Sequence, residues 1–214
     1  MLKELNALSI ARFHDAMLCD ALWPGDDAGV AADTALRPLA WRSIEANHRF
    51  NCLLWREEDK ARRTDVAPAE IAASKRLIDQ HNQKRNDAVE ALDEALLAAL
   101  GPIACAPDAR LSSETAGAMI DRMSILSLKI FHMREQTERT DAGAAHLDSC
   151  SGKLQRLMQQ RRDLASCLDQ LLSEACAGRA YFKVYRQFKM YNDPTLNPYL
   201  YGKRDAGATG EAAP

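Results

Sequence analysis

The sequence predicts an all-α protein, a single-domain bundle of about five or six helices with an ordered Asn/Pro/Tyr-rich strap near its C-terminal end. Three observations carry that expectation. Apolar residues recur at helical spacing through several long stretches, no stretch alternates apolar and polar residues over a useful length, and no repeat of fixed period appears. Ten glycines and five phenylalanines beside abundant Ala, Leu, Arg and Asp tilt the composition the same way.

The first helix is expected from Leu2 to about Leu22, with Leu5, Ile10, Phe13 and Met17 as its apolar residues, ended by Trp23-Pro24-Gly25. The Gly-, Ala- and Asp-rich stretch up to Pro38 has no period and reads as a long crossover or a lid. A second helix is expected over about Ala40 to Arg63. The third runs from Pro68, a favoured first-turn proline, to Leu100, where Gly101-Pro102 stops it. Ser112-Ser113-Glu114 reads as the start of a fourth helix reaching Thr140. That helix is apolar on nearly every side and belongs at the centre. A fifth spans about Ala144 to Ala177, with the seam Leu147, Ser151, Leu154, Leu157, Arg161, Leu164, Leu168 and Leu171. A shorter helix is expected over Ala180 to Met190, ahead of the strap at residues 189–201. There Asn-Asp-Pro and Asn-Pro mark turns, and three tyrosines call for burial with a wet hydroxyl. One domain would therefore fill residues 1–202, leaving 203–214 too small and polar to fold.

A net charge of −2 gives no electrostatic reason to expect nucleic acid or an anionic membrane as partner. No run of about 18 apolar residues could span a bilayer, and the amphipathic start with Glu4, Arg12 and Asp15 is no signal peptide. Six cysteines without a C-x-x-C pair read as reduced, mostly buried thiols. The expected compartment is the cytoplasm.

Function is suggested by polar residues where a bundle should be apolar. The stripe of the third helix reads Ile71, Lys75, Ile78, Asn82, Arg85, Val89, Leu92, Leu96. Burying its three polar members costs several kcal/mol unless each finds a partner. Such a seam builds a satisfied network, a ligand site or a wet groove. On the second helix Trp41, Glu45, His48, Cys52, Trp55, Asp59 and Arg62 share one face, beside a polar line of Asn47, Asn51, Glu58 and Arg62. Glu45 and His48 form the E-x-x-H unit of di-iron bundles, but His132-x-x-Glu135 is in reverse order and a second unit is lacking. A buried, hydrogen-bonded histidine is therefore the better expectation. Glu90-x-x-Asp93 has the form of half a Mg²⁺ site, and Glu58 and Asp59 could complete it. Lys75, Arg85, Arg122 and Arg62 could clamp a phosphate or carboxylate, or serve as structural ion pairs. Asp121-Arg122 lies in an otherwise oily helix, so both members need partners.

The segments IEANHRFNCLLWREEDKARR (44–63), KRLIDQHNQKRNDAVEALDEALL (75–97), SSETAGAMIDRMSILSLKIFHM (112–133) and KMYNDPTLNPYLY (189–201) resemble a bacterial family catalogued as domain of unknown function 4254. The resemblance implies a mainly helical protein and assigns neither a reaction nor a catalytic residue.

Three functions follow from the residues, the last of them a di-iron carboxylate protein built on the Glu45/His48 unit. The first is a binder or hydrolase of a phosphorylated small molecule, a nucleotide or sugar nucleotide, held between the second, third and fourth helices. Glu58, Asp59, Glu90 and Asp93 would hold Mg²⁺ or Mn²⁺. Arg62, Lys75, Arg85 and Arg122 would neutralise phosphate, and Asn51, Asn82 and Asn86 would orient the ligand. His48 or His132 would act as general base or acid. The second is a non-enzymatic interaction module, a homodimer or an adaptor for a partner protein, which the family resemblance links to glycan assembly, with the polar network fixing helix register and Trp41, Trp55 or the tyrosine-rich segment as anchor.

Overall fold

The computed structural model describes residues 5–25, 38–188, 190, 193 and 195–201. The stretch read as a lid or crossover, 26–37, and the tail from 203 lie outside them.

Asn6 sets the start of the first helix. Its side chain accepts from the Ser9 N–H while Ser9 answers the Asn6 N–H, a reciprocal cap that begins α1 (Ala7–Leu18) five residues later than Leu2. α2 (Leu39–Ala61) and α3 (Pro68–Leu100) form one hairpin, α3 with the expected bounds: Pro68 opens it and Gly101, at φ 69°, closes it. α4 (Ala116–Thr137) and α5 (Ala144–Cys176) form the second. α4 packs against α1, α2, α3 and α5, as its all-round apolarity predicts. Leu92, Leu96, Ile120, Met123, Leu168 and Ile44 form the centre of the core.

Ser112 does not cap α4. Its hydroxyl turns to the Glu114 carbonyl, and Thr115 takes the cap by accepting from the Ala118 N–H. Close approach of α3 and α4 rests on Gly117, where an added Cβ would fall 2.8 Å from both the Val89 carbonyl oxygen and Asp93 Oδ1.

The helix expected over Ala180–Met190 does not form. Gly178, at φ 69° and tight against the Ala104 carbonyl, turns the chain out of α5. Two-residue strands β1 (Arg110–Leu111) and β2 (Ala180–Tyr181) then pair in parallel. The backbone hydrogen bonds that a helix would have made internally go to this partner.

The chain divides at Val184 into two compact units. Of the second, Thr195 bonds back to Asp193 and the Tyr199 N–H to Asn197, the turns its sequence predicts, before the four-residue α6 (Pro198–Tyr201). Tyr199 is exposed, not buried. Lys189, Tyr191, Asn192 and Pro194 of the expected strap lie outside the described residues. The cysteines are free as expected, but only Cys52 and Cys150 are buried; Cys19, Cys105, Cys167 and Cys176 are exposed. No described helix is long and apolar enough to cross a membrane.

Candidate functional site

The third-helix stripe is rotated from its expected position. Burial in α3 runs through Ser74, Ile78, His81, Ala88, Leu92 and Ala95, so Lys75 points to solvent, while Asn82 and Arg85 are half-buried at the edge. That edge is one wall of a cleft of about 400 Å³ between α2, α3 and α4. Leu54, Trp55, Ile125 and Leu128 make its apolar surface. Asn51, Glu58, Asp59, Arg62, Asn82 and Arg85 are its polar groups. Six residues expected at a site therefore meet in one place.

Beneath the cleft lies a buried polar network. Asn47 and Asn51 donate to the same oxygen of Asp121, at 2.7 and 2.9 Å, and Asn51 also donates to Ser124 Oγ at 3.0 Å. His48 Nδ1 lies 2.8 Å from Ser124 Oγ. Arg85 Nε stands 3.7 Å from the same Asp121 oxygen, beyond hydrogen-bond length, and this buried nitrogen has no hydrogen-bond partner. Asp121 therefore supplies countercharge to Arg85 while its near oxygen is committed to two amides. The guanidinium keeps donor capacity at the cleft wall. By contrast, Arg62 is tied to Glu58, at 2.9 Å to the carboxylate and 2.6 Å to the backbone carbonyl.

The remaining expected residues are elsewhere. His48 is wholly buried, between His14 at 4.4 Å and Trp23 at 5.8 Å. Desolvation lowers its pKa to about 4, so it is neutral and has no face on the cleft. His132 lies on another groove, stacked on Trp55 at 4.7 Å and bonded to Glu135. Arg122 is held by Glu114 at 2.6 Å. Asn86 is buried and absent from the cleft lining.

The carboxylates expected to hold a metal do not converge. Asp93 is buried at the start of α4, accepting from the Gly117 N–H at 2.6 Å, and burial raises its pKa against the pull of Thr115 and Gly117. Glu90 presses on Asp93 electrostatically, while Glu58 and Asp59 line the cleft. Among the described residues no three His, Cys, Asp or Glu side chains are gathered as a metal ion requires. The i, i+3 spacing put Glu90 and Asp93 on one face, but that face meets α4's first turn. Among the described residues the donor set fits neither Mg²⁺ nor a di-iron centre.

Asp121 is the site residue that sequence reasoning undervalued. Its signal, a carboxylate in an oily helix, was legible, but its partners on α2 and α3 were not. Ser124 and His14 gave no signal.

The fold and cleft define a class: two helical hairpins packed through one central helix, with a polar-walled cleft over a buried amide–carboxylate network. Residues 41–184 match the model of the family DUF4254, described as protein of unknown function, and the chain belongs to that family. The match ends at Val184, where the first compact unit also ends. Among curated proteins and among solved structures, nothing matches the chain.

Proposed function

We propose that the cleft between α2, α3 and α4 binds an anionic small molecule that also carries hydroxyl or amino groups, of the nucleotide or sugar-nucleotide kind. The observation that carries this reading is Arg85, whose buried Nε has no hydrogen-bond partner. A phosphate or carboxylate in the cleft would meet the accessible edge of this guanidinium, which has Asp121 only as a countercharge 3.7 Å away, and a charge-assisted hydrogen bond is about twice as strong as a neutral one. Glu58 and Asp59 accept only, so the rest of the ligand must donate. Asn82 offers both roles, Asn51 can only accept because its amide hydrogens go to Asp121 and Ser124, and the Trp55 indole offers a flat apolar wall. The cleft's size lies within the ~300–1,000 Å³ range of small-molecule sites.

Binding is the better-supported half of the function. Neither histidine faces the cleft, and Glu58 is engaged by Arg62, so Asp59 is left as the exposed acid able to take a proton. Thermal melts against pyrophosphate, nucleoside diphosphates and sugar nucleotides test the reading, each with Mg²⁺ and with chelator. A ligand at 100 times its Kd stabilises by about 2.7 kcal/mol, a rise of several degrees at this size. One phosphate class should raise the melting temperature equally in chelator. A flat panel would overturn the reading and leave the polar residues as a packing device.

A further inference from the structure

The groove between α4 and α5 carries a charge pattern that the cleft does not use. α4 presents Lys129, His132, Met133 and Gln136 to it. α5 presents Lys153, Arg156, Leu157 and Gln160. Both sets have the i, i+3, i+4, i+7 spacing of one helix face, and both run base, base, apolar, glutamine in the same order. Trp55 of α2 closes one side, its indole stacked on the His132 ring at 4.7 Å and 13°. The space enclosed is about 470 Å³.

Packed helices gain by facing opposite charges across a groove and lose by facing like ones. Here Lys129 of one helix and Lys153 and Arg156 of the other line the same groove, with no carboxylate among the lining residues. Among the described residues none of the three has a hydrogen bond or ion pair. Glu135 bonds His132 and lies outside the lining. In a chain of net charge −2, three unpaired cations above a surface of Met133, Leu157 and Trp55 form a local field of the opposite sign.

We propose that this groove binds a small amphiphilic anion, a single molecule with a phosphate or carboxylate head on an apolar body. The head meets Lys153 and Arg156, the guanidinium offering two parallel donors. The body lies on Met133, Leu157 and the outer face of the Trp55–His132 stack. Charge alone would accept any anion. The apolar surface between the cations is what selects a ligand able to cover it.

Isothermal titration of the full chain with decyl phosphate, kept below its micelle concentration, tests this beside three other titrants: decanol, inorganic phosphate and anionic phospholipid vesicles. The variants are Lys153→Glu/Arg156→Glu, Lys129→Glu and Arg85→Ala; the three lysine and arginine positions on the groove are exposed, so the fold should tolerate them. Decyl phosphate should bind, about tenfold or more weakly to each charge-reversed groove variant and unchanged to Arg85→Ala. Decanol and inorganic phosphate should each bind about tenfold or more weakly than decyl phosphate. Equal affinity for inorganic phosphate would overturn the amphiphile class, and equal affinity in the charge-reversed variants would overturn the location. Binding to vesicles without binding to dispersed decyl phosphate would overturn the single-molecule site. Loss in Arg85→Ala alone would assign the ligand to the cleft instead, which separates failure here from failure of the proposed function.

Discussion

At His14 both ring nitrogens are in the core without a hydrogen-bond partner, and the ring stacks on His48. Desolvation, then the charges of His48 and Arg161, holds the His14 pKa well below its ordinary value, and desolvation lowers that of His48 to about 4. Both folded pKa values lie below the unfolded ones, so the unfolded chain takes up more protons as the solution becomes acid. This contribution to stability is complete above about pH 6.5 and is lost as pH falls toward 4. The loss from His48 is on the order of 2 kcal/mol by pH 4.5. His14→Phe should keep the stack, match or exceed the native melting temperature at pH 7, and flatten its fall between pH 6.5 and 4.5. An unchanged slope would show that the pair does not govern acid stability. Asp121 and Arg85 separate network from cleft. Asp121→Ala strips two buried amides of their acceptor and Arg85 of its countercharge, and should cost about 3 kcal/mol or more in denaturant unfolding. Arg85→Ala removes one long ion pair, 3.7 Å, and leaves both amides on Asp121, so it should cost less, about 1 kcal/mol. Equal losses would make Arg85 a structural residue.

The element most sensitive to a single methyl is the α3–α4 contact. Gly117→Ala drives a Cβ into the Val89 carbonyl and the Asp93 carboxylate, neither able to retreat without breaking helix or cap. A loss of about 1–3 kcal/mol is expected, read as a lower melting temperature with helical content retained. Unchanged melting would mean that the helices part more readily than this packing allows. Element identity was largely legible where signals are local. Pro68 and Gly101 bounded α3, and the apolar perimeter of α4 placed it centrally. Signals failed where a distant partner decides. Nothing local tells Ser112 from Thr115 as the cap of α4, and Ala180–Tyr181 became a strand because Arg110–Leu111 lies beside it.

On the scale of the whole molecule, the first compact unit is two hairpins joined through α4, and the cleft and groove flank that helix with Trp55 lining both. Sequence periodicity named Asn51, Glu58, Asp59, Arg62, Asn82 and Arg85, and all six meet in the cleft. Periodicity says which residues share a helix face, not which face meets which neighbour. Glu90 and Asp93 share a face that meets α4 and not the cleft, and His48 lies in the core. The most direct measurement is calorimetric titration of native and Arg85→Ala protein with the phosphate compound giving the largest thermal shift, alongside the melting temperature of each without ligand. Loss of about 1.5–3 kcal/mol of binding with nearly equal melting temperatures is the predicted result. Undiminished affinity in the variant would contradict the account.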